Sequence, residues 1–280
     1  MPNEWPLAPY HEPVVSDTAD AEDRLLFAGA RRHRARTRGA SLLIALPALN
    51  EEASVASVVA EIRRTQPSAD VLVIDDGSTD ATAERAADAG AQVMRLPFNL
   101  GVGGAMRAGY RYALEAGYSH VVQVDADGQH DPEDIQRLLT TMSRADIAIG
   151  ARFAGVGDYA MRGPRRWAMR TLSVILSRLT GVPVSDPTSG FRMIGPSALE
   201  LFAFDFPEEY LGDTVEALVI AHRAGLTIEQ VPVAMRQRTA GRPSQGALRS
   251  SAYLVRAVAA ILLAVARRGP ARREPPDASA

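Results

Sequence analysis

The sequence contains no cysteine among its 280 residues. This absence excludes disulfide bonds and thiolate metal sites, and it fits a reducing cytosol. Neither sign of charge predominates: the net charge is −2, which argues neither for nor against binding of nucleic acid. No nucleic-acid partner is expected. The hydrophobic content of 46% and the charged content of 23% are ordinary for a soluble globular protein. The length is sufficient for a sizeable core.

Long hydrophobic runs are missing as well. No segment reaches the roughly 18 uncharged apolar residues of a membrane span, and residues 1–23 have no apolar stretch typical of a signal peptide. The nearest approach is Ala257–Ala266, which is flanked by arginines. We therefore expect a cytoplasmic protein, either free or at the inner face of the cell membrane. Peripheral contact or a membrane-protein partner would provide the attachment.

Changes in composition divide the chain. We expect a loosely ordered tail at 1–40, a globular domain at 41–246 with halves 41–150 and 151–246, an amphipathic C-terminal helix at 247–268, and a disordered tail at 269–280. The final helix either packs on the domain or lies in a membrane interface, since arginines edge its apolar face. The basic run at 31–38 is either a solvated linker, which we favour, or a contact for anionic lipids.

Short apolar strands alternate with amphipathic helices from residue 41 to residue 150. This alternation predicts an α/β fold with a mostly parallel sheet and helices on both faces. We expect the first helix to begin at Asn50. Residues 185–192 are expected to form a polar loop.

Two of the predicted strands end in pairs of acids. Asp125 and Asp127 follow one buried strand, and Asp75 and Asp76 end another. Ligands bind at the carboxyl edge of open α/β sheets, so the four carboxylates are expected to form one site. The first pair suits a divalent cation carrying a diphosphate, with Gln129 as a further ligand. The second pair suits a nucleobase N–H or ribose hydroxyls. The alternatives are a solvated turn and the capping of a following helix.

Arginines are frequent in the loops of the second half. Such side chains can clamp phosphates, and we expect this first of all for Arg152 and Arg238. Asp213 and Glu216 lie three residues apart at one helix start. Either one of them is a general base, or both complement the helix dipole.

The ordered set of motifs resembles glycosyltransferase family 2, which has the GT-A fold, over roughly residues 41–240. The motifs are the segments 46–52, 75–80, 99–101, 125–130 and 185–192. Within the family the chain is most similar to the dolichyl- or polyprenyl-phosphate-mannose synthase branch, through segments 125–130, 150–153 and 238–244. Val102 and Gln245 depart from the pattern. Many members of the family have lysine in place of Val102, and the mannose-synthase branch often has lysine in place of Gln245. The second departure weakens the case for binding of an acceptor phosphate.

The resemblance implies a metal-dependent, inverting transferase that moves a sugar from a UDP- or GDP-linked donor to polyprenyl phosphate. Asp125, Asp127 and Gln129 would hold Mg²⁺ or Mn²⁺. Catalysis would use Asp127 and, for a hydroxyl acceptor, Asp213 or Glu216. Substrate contacts are expected from Pro47, Leu49, Glu51, Ile74, Asp75, Asp76, Asp125, Ala126, Arg152, Arg166, Arg192 and Arg238. The alternatives are a glycan or small-molecule hydroxyl acceptor and, less favoured, a non-catalytic nucleotide-sugar-binding protein.

Overall fold

A computed structural model describes residues 41–152, 173–178, 181, 183–207 and 213–236. The strands are β1 (Leu42–Ala48), β2 (Asp70–Asp75), β3 (Gln92–Arg95), β4 (His120–Gln123), β5 (Ile147–Ala151), β6 (Arg192–Ile194) and β7 (Ile228–Pro232). The helices are α1 (Val55–Thr65), α2 (Thr82–Asp88), α3 (Gly101–Ala116), α4 (Ile135–Thr141), α5 (Pro196–Asp205) and α6 (Asp213–Arg223). The predicted tails, the predicted helix at 247–268, Arg166 and Arg238 lie outside the described residues.

The strands form one sheet in the order β3-β2-β1-β4-β6-β5-β7. β6 runs antiparallel to β4 and β5, and the other pairings are parallel. The predicted mostly parallel sheet is therefore confirmed. The prediction of a loop through residue 192 was wrong at its end, because β6 begins at Arg192. A strand of three residues is too short to show a hydrophobic period, and its neighbours in the sheet define it.

Alternate strand residues pack on opposite faces of the sheet. Leu43 and Val121 join the core that contains side chains from α3, α5 and α6. Ile44 and Val122 join a second core with side chains from α1 and α4. The predicted covering of both faces is thus confirmed. Among the described residues, no helix is both long enough and apolar enough to cross a membrane.

The first helix begins five residues later than expected, at Val55 rather than Asn50. Asn50 has a left-handed backbone with φ of 54°. Backbone donors of this segment bond to the loop that follows β2 and to the first residue of α2: the N–H groups of Asn50, Glu51 and Glu52 donate to side-chain oxygens of Ser78, Thr82 and Asp80, respectively. These bonds between loops replace the helical turn that local sequence favours.

Candidate active site

The carboxyl ends of β2 and β4 lie on either side of β1. Ala48 of β1 is in register with Asp75 of β2, and the Ala48 carbonyl accepts the N–H of Asp76 at 2.9 Å. On the other side, the Ala45 carbonyl accepts the N–H of Val124 at 3.0 Å, one residue before Asp125. The two acid pairs therefore leave the same edge of the sheet, with one strand between them.

Asp76 has a second role that local sequence does not reveal. Its Oδ1 accepts the N–H of Leu100 at 2.7 Å, and its Oδ2 accepts the N–H of Gly101 at 2.9 Å. The carboxylate thus satisfies free donors at the N-terminus of α3. Burial raises the pKa of Asp76, the two backbone N–H groups oppose this shift, and the charge of Asp75 adds to it. The sequence suggests capping of α2, which directly follows, whereas Asp76 caps α3.

The other residues expected to contact the nucleotide differ from one another in exposure and in their contacts. Leu49 is exposed and Pro47 is partly buried. The carboxylate of Glu51 accepts the hydroxyl of Ser54 at 2.8 Å. Ile74 is fully buried, and its Cδ1 would lie 2.6 Å from a Cβ placed on Gly109 of α3. Ile74 therefore supports the edge from within the core.

The turn after β4 carries the proposed metal ligands. Gly128 has φ of 77°, a backbone that favours glycine, and the Gln129 N–H donates to Oδ1 of Asp127 at 3.0 Å. The side chain of Asp125 is 40% exposed, whereas Ala126 and Asp127 are buried. In the described part of the chain, no three His, Cys, Asp or Glu side chains gather into a metal cluster. Two carboxylates and an amide oxygen nevertheless suit a hard cation whose remaining ligands come from a nucleotide and water.

Two residues that the sequence does not assign to the site, His130 and Gly190, lie next to Asp125, and Phe191 packs on the first of them. His130 is buried, and its Nδ1 accepts the N–H of Asp125 at 3.0 Å. The ring of His130 stacks on Phe191, with 4.8 Å between centroids. A Cβ on Gly190 would lie 3.2 Å from Oδ1 of Asp125. The sequence predicts a polar loop at 185–191 but does not show which strand end it contacts.

Arg152 and Arg192, the two arginines expected at the substrate that the structure describes, contact the loop at 185–191. Arg152 donates from Nε and Nη2 to Asp186 at 2.6 and 2.8 Å, and from Nη2 to Thr188 at 2.9 Å. Asp186 is fully buried. Arg192 is 2% exposed, and its Nη2 donates to the carbonyl of Ser189 at 2.9 Å. Its Nε has no hydrogen-bond partner within the described residues. Both arginines therefore hold the 185–191 loop in place.

Arg236 joins the segment after β7 to the turn after β4. Its backbone N–H donates to the carbonyl of Gln129 at 2.9 Å. Its guanidinium contacts Glu61 of α1 at 2.8 Å and Asp131 at 2.7 Å. The proposed ligand Gln129 is thus fixed through its backbone by a residue 107 positions later in the chain.

The proposed general bases lie on α6. The helix begins at Asp213, so the predicted helix start is confirmed, and Glu216 is partly buried on it. Glu216 has an interaction partner in the structure.

The comparisons with known proteins agree with this architecture. The model of glycosyl transferase family 2 matches residues 43–202. The undecaprenyl-phosphate mannosyltransferase of Micrococcus luteus is 33% identical over 71% of this chain and 85% of its own length. The polyprenol monophosphomannose synthase of Mycolicibacterium smegmatis is 32% identical over 71% of this chain and 78% of its own.

A solved structure shows the same fold. The glucosyl-3-phosphoglycerate synthase of Mycobacterium tuberculosis, in complex with Mn²⁺, uridine diphosphate and phosphoglyceric acid, superposes with a TM-score of 0.62. It is 23% identical, and the match covers 85% of this chain and 82% of that one. The GT-A fold expected from the motifs is confirmed. The chain is a glycosyltransferase and belongs to glycosyl transferase family 2.

Proposed function

We propose that this enzyme transfers a sugar, with inversion, from a nucleoside diphosphate donor to a polyprenyl phosphate in a metal-dependent reaction. The observation that carries the proposal is the pair of acidic strand ends on either side of β1, with Asp125 and Asp127 after β4 and Asp75 and Asp76 at the end of β2. The names of two relatives above 30% identity support the acceptor, since one names undecaprenyl phosphate and the other names a polyprenol monophosphomannose as product. Both also name mannose, which is the sugar to test first.

The donor-binding residues follow from the site. Asp125, Asp127 and Gln129 would hold Mg²⁺ or Mn²⁺, since their oxygens match the ligands that these cations prefer. When bound, the cation neutralises the departing nucleoside diphosphate as a Lewis acid. The Gln129 N–H orients the carboxylate of Asp127 before any donor arrives. Asp75 and Asp76 would face the nucleoside, with Leu49 at the exposed margin of the pocket.

The acceptor decides whether a general base is needed. A phosphate monoester is largely ionised at pH 7, because its second pKa is about 6, so it can attack the anomeric carbon without losing a proton first. An alcohol must lose a proton to a base. With a lipid phosphate as acceptor, Asp213 and Glu216 are dispensable for the chemical step. Since polyprenyl phosphates reside in membranes, the reaction would take place at a membrane surface.

The first test is transfer of radiolabelled mannose from GDP-mannose to a polyprenyl phosphate with Mn²⁺; UDP-linked sugars follow. Asp127→Asn should abolish transfer, while Asp88→Asn, at the exposed end of α2, should leave it unchanged. Full activity of Asp127→Asn in saturating Mg²⁺ would show that the metal assignment is wrong.

The second test exchanges the acceptor. Polyprenol has the same chain with a hydroxyl in place of the phosphate, and we expect no transfer to it. Glu216→Gln should keep its turnover on the phosphate acceptor. The hydroxyl-acceptor alternative gains support if transfer to an alcohol occurs and Glu216→Gln abolishes it without weakening donor binding.

A further inference from the structure

The backbone leaves the sheet at Asp125, and a side chain takes over there as hydrogen-bond acceptor. The N–H of Val124 still donates to the carbonyl of Ala45 at 3.0 Å. The next N–H, that of Asp125, donates to Nδ1 of His130 at 3.0 Å. Since Nδ1 accepts, the hydrogen-bond pattern assigns the ring proton to Nε2. His130 thus fixes the backbone two residues beyond the end of β4, at the first proposed metal ligand.

The other ring nitrogen of His130 faces the carboxylate of the same residue. Nε2 lies 3.6 Å from Oδ2 of Asp125, which is too long for a hydrogen bond and leaves an electrostatic contact. On another side, a Cβ on Gly190 would lie 3.2 Å from Oδ1 and 3.5 Å from Oδ2. The carboxylate is therefore confined between an imidazole and a glycine that has no side chain to displace it.

The His130 ring is itself held by the second half of the chain. It is 4% exposed and stacks on Phe191 with 18° between the ring planes. The backbone of His130 forms an antiparallel bridge with Met235. Two segments that are distant in sequence thus hold His130: Phe191 packs on its ring, and Met235 pairs with its backbone.

We propose that His130 is a positioning residue, which orients the carboxylate of Asp125 for a divalent cation through contacts of both ring nitrogens with that residue. The inference rests on the proposed function because it takes Asp125 as a metal ligand. Side chains that orient metal ligands commonly change metal affinity by about 10- to 100-fold when they are replaced. His130 is expected to act within that range.

The experiment measures Mn²⁺ affinity by electron paramagnetic resonance of the free ion, in the presence of UDP. His130→Phe keeps a ring to stack on Phe191 and removes both nitrogens. It should weaken Mn²⁺ binding by about 10-fold or more. UDP binding in EDTA, measured by calorimetry, should not change. His222→Phe, at an exposed position of α6, is the matched control and should bind Mn²⁺ like the wild type.

The outcomes separate the possible roles. If His130→Phe only lowers the melting temperature and binds Mn²⁺ normally, the positioning role is refuted. If it does not fold, His130→Asn decides, since its amide oxygen can accept the Asp125 N–H but no ring nitrogen faces Oδ2. Folded His130→Asn with reduced Mn²⁺ affinity supports the inference, and wild-type affinity refutes it. Asp127→Asn tests the proposed metal site itself: normal Mn²⁺ binding there contradicts the proposed function rather than the role of His130.

Discussion

Replacing Asp76 with asparagine tests whether this acid has a structural role apart from any ligand. Its two oxygens accept the N–H groups of Leu100 and Gly101. An amide has one acceptor oxygen, so its NH₂ group would face one of these donors. Gly101 retains a second acceptor because Oδ1 of Asn99 lies 2.8 Å from its nitrogen. The asparagine should therefore direct its oxygen to Leu100 and its NH₂ group towards Gly101.

The cost follows from three terms. The NH₂ group of the asparagine would face the Gly101 N–H and would itself be a buried donor without an acceptor, which costs about 1–3 kcal/mol. Loss of a negative charge at a helix N-terminus costs about 0.3–1 kcal/mol more. The neutral amide also avoids the burial penalty that raises the pKa of Asp76, and this offsets part of the loss. We expect a net destabilisation of about 2 kcal/mol, which corresponds to a fall of about 4–8 °C in melting temperature for a domain of this size.

The pH dependence of this effect has a defined sign. Because the folded pKa of Asp76 is raised, protonation of this group favours the folded state. The stability that this group contributes is fully present below the pKa that it has in the unfolded state. It is lost as the pH rises through the pKa that the group has in the folded state. At neutral pH the ionised carboxylate therefore lowers the stability of the fold relative to its protonated form, although it accepts two backbone hydrogen bonds.

The assay is thermal unfolding without nucleotide, followed by calorimetric titration with UDP and Mn²⁺. Asp88→Asn, at an exposed site, should not change the melting temperature. An unchanged melting temperature for Asp76→Asn, together with weakened UDP binding, would refute the structural argument. In that case Asp76 would act on the nucleotide alone. A lower melting temperature with normal UDP binding would instead remove Asp76 from the proposed nucleoside pocket.

Three further predictions follow from the same region. Gly190→Ala should weaken Mn²⁺-dependent UDP binding in calorimetry, because the added Cβ would lie 3.2 Å from Oδ1 of Asp125; normal binding would show that the loop can move aside. Asp186→Ala should lower the free energy of unfolding in urea by about 3–5 kcal/mol, since it leaves the paired charge of Arg152 without its buried partner. A much smaller loss of unfolding free energy would mean that another group compensates the charge of Arg152. Burial lowers the pKa of His120, so stability should fall as the pH drops below 6.5, and His120→Gln should flatten that part of the pH–stability curve.

The main elements and the position of the acids could be predicted from sequence because both depend on local patterns. The run from Val121 to Val124 is short and rich in β-branched residues, which favours a buried strand over a helix, and an acid that follows directly then lies at the strand end. Parallel pairing then brings Asp75 and Asp125 to one edge without further information.

Contacts between distant loops could not be predicted in this way. Nothing near Asp76 indicates that its carboxylate caps a helix 25 residues later, and nothing near Arg152 points to Asp186. Hydrogen-bonding side chains can choose among many partners of similar chemistry, and the packed fold selects one. Glycosyltransferase motifs locate these residues but do not separate those that would bind substrate from those that hold the loops.

Arg236 shows why the two predicted halves of the domain are not independent at this edge. Its contacts with Glu61 and Asp131 are exposed ion pairs, each worth about 0–1 kcal/mol, so they contribute little to overall stability. Their effect is geometric, because they hold the backbone of Arg236 where its N–H reaches the carbonyl of Gln129. The proposed phosphate-binding residue Arg238 follows two positions later. Arg236 therefore joins the turn that would carry the donor's cation to the stretch of sequence that leads to Arg238.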